Sequence, residues 1–101
     1  MEEITVARTS DLPEGKGMVV NADGREIALF NINGEFFALE NTCPHRGGSL
    51  GDGFIEGKTI TCPNHSWQFD IASGKGIMPP NTALNTYEVE VRDDDVIVLI
   101  P

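Results

Sequence analysis

Apolar and polar side chains alternate along both ends of the chain, and the alternation fails in the middle. Ile4-Thr5-Val6-Ala7 reads as a first strand, followed by an acidic, Gly-bearing loop through Asp11-Leu12-Pro13-Glu14-Gly15. Lys16 to Val20, the turn Asn21-Ala22-Asp23-Gly24, and Arg25 to Asn31 give strand, turn and strand. Asn33-Gly34 is a type I′ hairpin signal, because both residues tolerate the positive φ that such a turn demands, and it leads into Glu35 to Glu40. Near the other terminus Tyr87, Val89 and Val91 alternate within Thr86 to Val91, and Asp93-Asp94-Asp95 turns the chain into Val96 to Ile100. No stretch carries a helical apolar period. Ser10 to Glu14 is at most a single turn.

From Asn41 to Asn81 the pattern is different: Gly, Pro and polar residues dominate. Short strands are expected at Lys58-Thr59-Ile60-Thr61 and Trp67-Gln68-Phe69-Asp70, with a turn at Ala72-Ser73-Gly74-Lys75-Gly76. So few core-forming residues require an internal organiser. The expectation is an all-β single domain, residues 1–101, with a base built from 1–40 and 82–101 and an inserted subdomain over 41–81. No internal repeat, low-complexity tract or linker is visible.

Composition narrows the function classes. At 101 residues the chain is one domain, burying about two thirds of the surface its unfolded form exposes. Its net charge of −9 and pI near 4.4 exclude partners that recognise cations, such as nucleic acid and anionic membranes, and suit steering onto a basic protein. No apolar run approaches the roughly 20 residues needed to span a bilayer. Met1-Glu2-Glu3-Ile4 is acidic where a signal peptide would be basic. A cytoplasmic location follows, where thiols stay reduced and a Cys43–Cys62 disulfide is the weaker alternative.

The chemistry lies in the same middle segment. Cys43-Pro44-His45 and Cys62-Pro63-Asn64-His65 contain every cysteine and histidine of the chain, with 16 residues between His45 and Cys62. Zinc accepts two cysteines and two histidines, but finger spacing groups like ligands together, whereas here each cluster holds one of each. A binuclear 2Fe–2S rhomb fits better, since each loop can send its cysteine to one iron and its histidine to the other. Residue types alone leave both centres open.

Cys-x-His followed by Cys-x-x-His resembles the Rieske iron–sulfur family, small soluble Rieske-type ferredoxins in particular, and the resemblance spans essentially the whole chain. Cys43-Pro44-His45-Arg46-Gly47-Gly48 and Cys62-Pro63-Asn64-His65-Ser66-Trp67 are similar to its two ligand loops, and Gly76-Ile77-Met78-Pro79-Pro80 to its proline-bearing cover loop. The resemblance implies the Rieske fold of three antiparallel sheets and one 2Fe–2S cluster, with Cys43 and Cys62 on the inner iron. His45 and His65 would bind the outer iron near the surface, where electrons leave. Pro44 and Pro63 would stiffen the loops, with ordinary turn prolines as the alternative, and Gly47, Gly48, Gly51 and Gly53 either let backbone approach the cluster or simply give the loops flexibility. Trp67 is expected as a core anchor, with Met18 and Met78 packed and Arg46 either a docking contact or merely an exposed charge.

Two departures matter. Respiratory Rieske proteins tie their ligand loops with a disulfide, and the matching places here are Gly48 and Asn64. Those proteins also donate hydroxyl hydrogen bonds from positions that hold Trp67 and Phe69 in this chain. Without those donors the potential is expected near the low end of the Rieske range, about −150 mV. The cluster would use both histidines, leaving none for the mononuclear iron of an oxygenase, and no Gly-x-Gly-x-x-Gly fingerprint is present. The chain is therefore expected to be no enzyme. It would be a monomeric one-electron carrier from a flavin- and NAD(P)H-dependent ferredoxin reductase to a terminal oxygenase. A Rieske-like small subunit of a nitrite reductase and a structural zinc module are the rivals.

Overall fold

The alternating segments at the two chain ends zip into a single curled antiparallel sheet. A computed structural model describes residues 2–43, 48–63, 67–78 and 80–101. Among them the strands are β1 (Glu2–Arg8), β2 (Lys16–Ala22), β3 (Arg25–Ile32), β4 (Glu35–Glu40), β5 (Phe54–Glu56), β6 (Thr59–Thr61), β7 (Gln68–Asp70), β8 (Gly76–Met78), β9 (Thr86–Arg92) and β10 (Asp95–Ile100). Sheet order in the base is β1-β10-β9-β4-β3-β2, and a four-stranded sheet runs β5-β6-β7-β8. The base consists of two ladders that share β9, where β4 pairs with it at Ala38↔Tyr87 and Leu39↔Thr86. The antiparallel all-β fold is as expected, but pairing gives one six-stranded and one four-stranded sheet where three were expected, because β4 pairs with β9 and fuses the two halves of the base. The edge strands β1 and β2 touch, which curls the base toward closure and covers edges that would otherwise template aggregation.

Turn chemistry sets the hairpins. Asn33-Gly34 has φ of 54° and 87°, and Asp23-Gly24 matches it at 54° and 78°. β2 therefore continues through Ala22, and the turn is two residues rather than four, because the primed geometry follows the strand twist. The single turn expected near Ser10 is a 3-10 turn at Thr9–Asp11.

Strand β3 divides two cores. Ile27 and Leu29 face a cluster with Leu12, Val20, Ala38, Val96, Val98 and Ile100 inside the curl. Ala28, Phe30 and Ile32 point the other way, to Leu39, Leu50, Ile60, Phe69, Ile71 and both cysteines. Period-2 geometry sends successive side chains to opposite faces, so a strand buried on both faces reads as a nearly continuous apolar run. Phe30 is fully buried, a contribution of about 1.5–3 kcal/mol.

On the outer face Arg92 hydrogen-bonds Glu3 at 2.7 Å and also pairs with Glu90. The bond and the guanidinium charge hold the Glu3 carboxyl below its ordinary range. That pairing acts at neutral pH and is lost as pH falls through the lowered carboxylate value. Met18 packs against the base core as expected, whereas Met78 is 62% exposed.

Candidate metal centre

Each cysteine sits in the neck of a hairpin, and the two hairpins are built alike. In the first, Thr42 bridges Ser49, and the Cys43 N–H donates to the Gly48 carbonyl at 2.9 Å. In the second, Thr61 pairs with Gln68, and the Cys62 N–H donates to the Trp67 carbonyl at 2.8 Å. Thr-Cys-Pro therefore recurs at equivalent places in two hairpins of equal span. This is an internal repeat that a search along the chain passes over, since it is only three residues long; its signal is Thr42-Cys43-Pro44 beside Thr61-Cys62-Pro63.

Cys43 and Cys62 are 1% and 2% exposed and belong to the same hydrophobic cluster. They are not cross-linked to each other. Two thiols sealed together in apolar surroundings suit soft, thiolate-binding iron shielded from water, so the residues present fit the group. His45 and His65 lie outside the described residues, as do Pro44, Arg46, Gly47, Asn64 and Pro79. Trp67 is half-buried, packs on the cysteine-bearing cluster, and meets Phe69 at 6.5 Å between ring centres with a 49° tilt. It anchors the core, in keeping with the sequence reading.

Gly51 and Gly53 serve a purpose other than the two expected. A Cβ on Gly51 would fall 2.6 Å from Val19 Cγ2 and 3.0 Å from the Met18 carbonyl; one on Gly53 would fall 2.3 Å from the Thr61 carbonyl oxygen. The two glycines let the return arm of the first hairpin, a 3-10 turn at Leu50–Asp52, press against β2 and against the strand that leads into Cys62. Gly53→Ala should push β6 away and cost about 1–3 kcal/mol, lowering the melting temperature by about 4–8 °C for each kcal/mol. A thermal melt of the purified variant checks this, and an unchanged midpoint would contradict the packing.

Asn41 was missed by the sequence reading. It is 3% exposed and bonds through both its side chain and its backbone to the arm that returns from Cys43. A single Asn before a motif carries no pattern signal, and only the contacts reveal it.

One row of the small sheet flanks the cysteine hairpins. Register aligns Phe54, Thr61, Gln68 and Met78, and Gln68 donates to the Thr61 hydroxyl at 3.4 Å. The row ends in two exposed apolar side chains, Phe54 at 68% and Met78 at 62%. Residues 41–81 carry three basic and three acidic side chains, so the whole net charge of −9 resides in 1–40 and 82–101. Among the described residues no helix is long and apolar enough to cross a membrane.

The Rieske [2Fe-2S] domain profile matches residues 2–88. The ferredoxin component of the naphthalene 1,2-dioxygenase/salicylate 5-hydroxylase systems of a Ralstonia species is 40% identical over 91 residues, covering 89% of this chain and 88% of that one. The ferredoxin in a solved complex of reduced oxygenase and oxidized ferredoxin of carbazole 1,9a-dioxygenase is 33% identical with a TM-score of 0.88, covering 95% and 91%. A Mycobacterium tuberculosis protein proposed as the small subunit of an NADH-dependent nitrite reductase has a TM-score of 0.89 over 96% of this chain and 93% of its own, but at 23% identity it shares the fold alone.

Proposed function

This chain belongs to the Rieske [2Fe-2S] domain family, and from that membership we propose that it is the ferredoxin component of a ring-hydroxylating dioxygenase system. It carries electrons rather than catalysing oxidation. Cys43 and Cys62 would hold one iron of its single 2Fe–2S cluster, and His45 and His65 the other. When bound, the cluster supplies one reversible electron at a time. The chain's own contribution is to exclude water from both thiols, to pinch each loop at its neck, and to hold the two hairpins against one hydrophobic cluster. What carries this reading is the pair of matched Thr-Cys-Pro hairpins with both cysteines buried together. The protein acts as a cytoplasmic monomer, taking electrons from a flavin-dependent reductase and delivering them to a terminal oxygenase. The test is anaerobic purification followed by iron and acid-labile sulfide analysis, one-electron titration, and reduction of a terminal oxygenase. A folded product without sulfide defeats the reading in favour of zinc, and co-elution with a nitrite reductase would favour the fixed-subunit alternative.

The surface supports delivery at the small-sheet end. Partners must approach the cysteine hairpins closely, and there the chain offers Phe54 and Met78 in a segment of zero net charge. The charge of −9 on the base orients the approach from a distance and is screened beyond about 8–10 Å. Phe54→Asp should raise the KM for ferredoxin in oxygenase turnover about tenfold, as loss of an interface anchor does, with cluster content unchanged. Val91→Asp, at an exposed apolar position on β9, should leave KM as it is. Equal effects from both variants would remove the small-sheet row from the interface.

A further inference from the structure

We infer that Asn41 is a positioning residue for the first ligand hairpin, doing there what the flanking strands of a four-stranded ladder do for the second. The inference rests on the cluster reading above. The two hairpins are alike at their necks but not in their support. The Cys62 hairpin grows out of β6 and β7, which are flanked by β5 and β8 in a four-stranded ladder. Among the described residues the Cys43 hairpin has a single bridge, Thr42↔Ser49, outside any strand.

Asn41 supplies the missing attachments. Its backbone N–H donates to the Glu26 carbonyl on β3 at 3.2 Å, and its carbonyl accepts from the Leu50 N–H at 2.9 Å. Its side-chain oxygen accepts the Gly51 N–H at 2.7 Å, and its amide donates to the Ser49 hydroxyl at 3.0 Å. One buried residue thus joins the base, the outgoing arm and the returning arm. Backbone bonds survive substitution, but the Gly51 N–H, buried by its close approach to β2, would be orphaned, and an orphaned buried donor is costly. The return arm would then lose its fixed distance from the Cys43 arm.

The fold contains its own control. Asn31 is the other buried Asn among the described residues, 6% exposed, and makes the same kind of bonds: its side-chain oxygen accepts the Gly34 N–H at 2.9 Å and its amide donates to the Leu12 carbonyl at 2.8 Å. Gly34 and Asn41 flank opposite ends of β4, roughly 20 Å apart at strand rise. Asn31 therefore matches Asn41 in burial and bonding while serving a different loop.

The experiment compares the holoprotein of Asn41→Ala, Asn31→Ala and wild type. Asn41→Ala is expected to lose visible absorbance to an iron chelator about tenfold faster and to split the reduced-state EPR signal into more than one species. Asn31→Ala should lower the melting temperature comparably while keeping the wild-type loss rate and a single signal. Asn41→Asp, which retains an acceptor for Gly51, should restore a single EPR species. Equal acceleration in both alanine variants, or none in Asn41→Ala, overturns the proposal. Should an alanine variant fail to fold, Asn41→Ser against Asn31→Ser, with side chains one atom shorter than Asn, carries the comparison, with a faster loss expected only at Asn41. A wild-type protein without iron and sulfide would instead sink the cluster reading.

Discussion

Cys62→Ser is expected to yield a colourless protein containing neither iron nor acid-labile sulfide, with its base sheet still folded. A serine hydroxyl is not ionised near neutral pH, so the substitution removes the anionic sulfur that iron requires. The consequence for the fold should be uneven. Cys62 and Cys43 lie in the cluster shared with Leu50, Ile60, Phe69 and Ile71, whereas the core within the curl contains neither. Loss of a ligand that binds only the native state lowers stability by linkage, and the melting temperature should fall by about 10 °C or more. Far-UV circular dichroism should keep its β signal from the six-stranded base. Emission of Trp67, packed against the cysteine-bearing cluster, should change. Cys43→Ser should behave alike, because the hairpins are equivalent at their necks. If Cys62→Ser retains wild-type iron and sulfide, the proposed ligand set is wrong.

What could be read from the chain, and what could not, follows from the range of the interactions. The base strands were legible because a half-buried strand needs an alternating pattern and a primed turn needs residues that accept positive φ, as at Asn33-Gly34. β5 and β8 were not. All four strands of the small sheet are three residues long. Thr59-Ile60-Thr61 and Gln68-Phe69-Asp70 alternate, whereas Phe54-Ile55-Glu56 and Gly76-Ile77-Met78 set two apolar residues side by side and are strands because a neighbour pairs with them. Met78 looked like a packing residue and is exposed, since its register partner Gln68 faces out beside Thr61. The thiols of the candidate centre were legible as residue types, and the structure adds that they share one buried cluster. The roles of Asn41, Gly51 and Gly53 were invisible because each depends on what lies across a gap from it. Asn41 reaches Gly51; Gly51 and Gly53 make room for Val19 and Thr61.

His65→Cys should lower the midpoint potential while leaving a cluster in place. The argument is one of charge. With two thiolates and two neutral imidazoles, two ferric ions and two sulfides make a centre of zero net charge, and reduction brings it to minus one. Exchanging one imidazole for a thiolate makes both states more negative by one, so an added electron meets a negative centre. Four-thiolate clusters lie near −400 mV and the low end of the Rieske range near −150 mV. One of the two exchanges should therefore account for about 125 mV, about a 130-fold change in the one-electron equilibrium. Square-wave voltammetry on the variant measures it, with acid-labile sulfide confirming that a cluster has assembled. A midpoint that stays in place or rises would remove His65 from the ligand set, since no other change in the substitution adds charge at the iron. His45→Cys should shift the potential in the same sense, and a response from only one histidine would break the pairing of the two hairpins that the proposed ligand set requires.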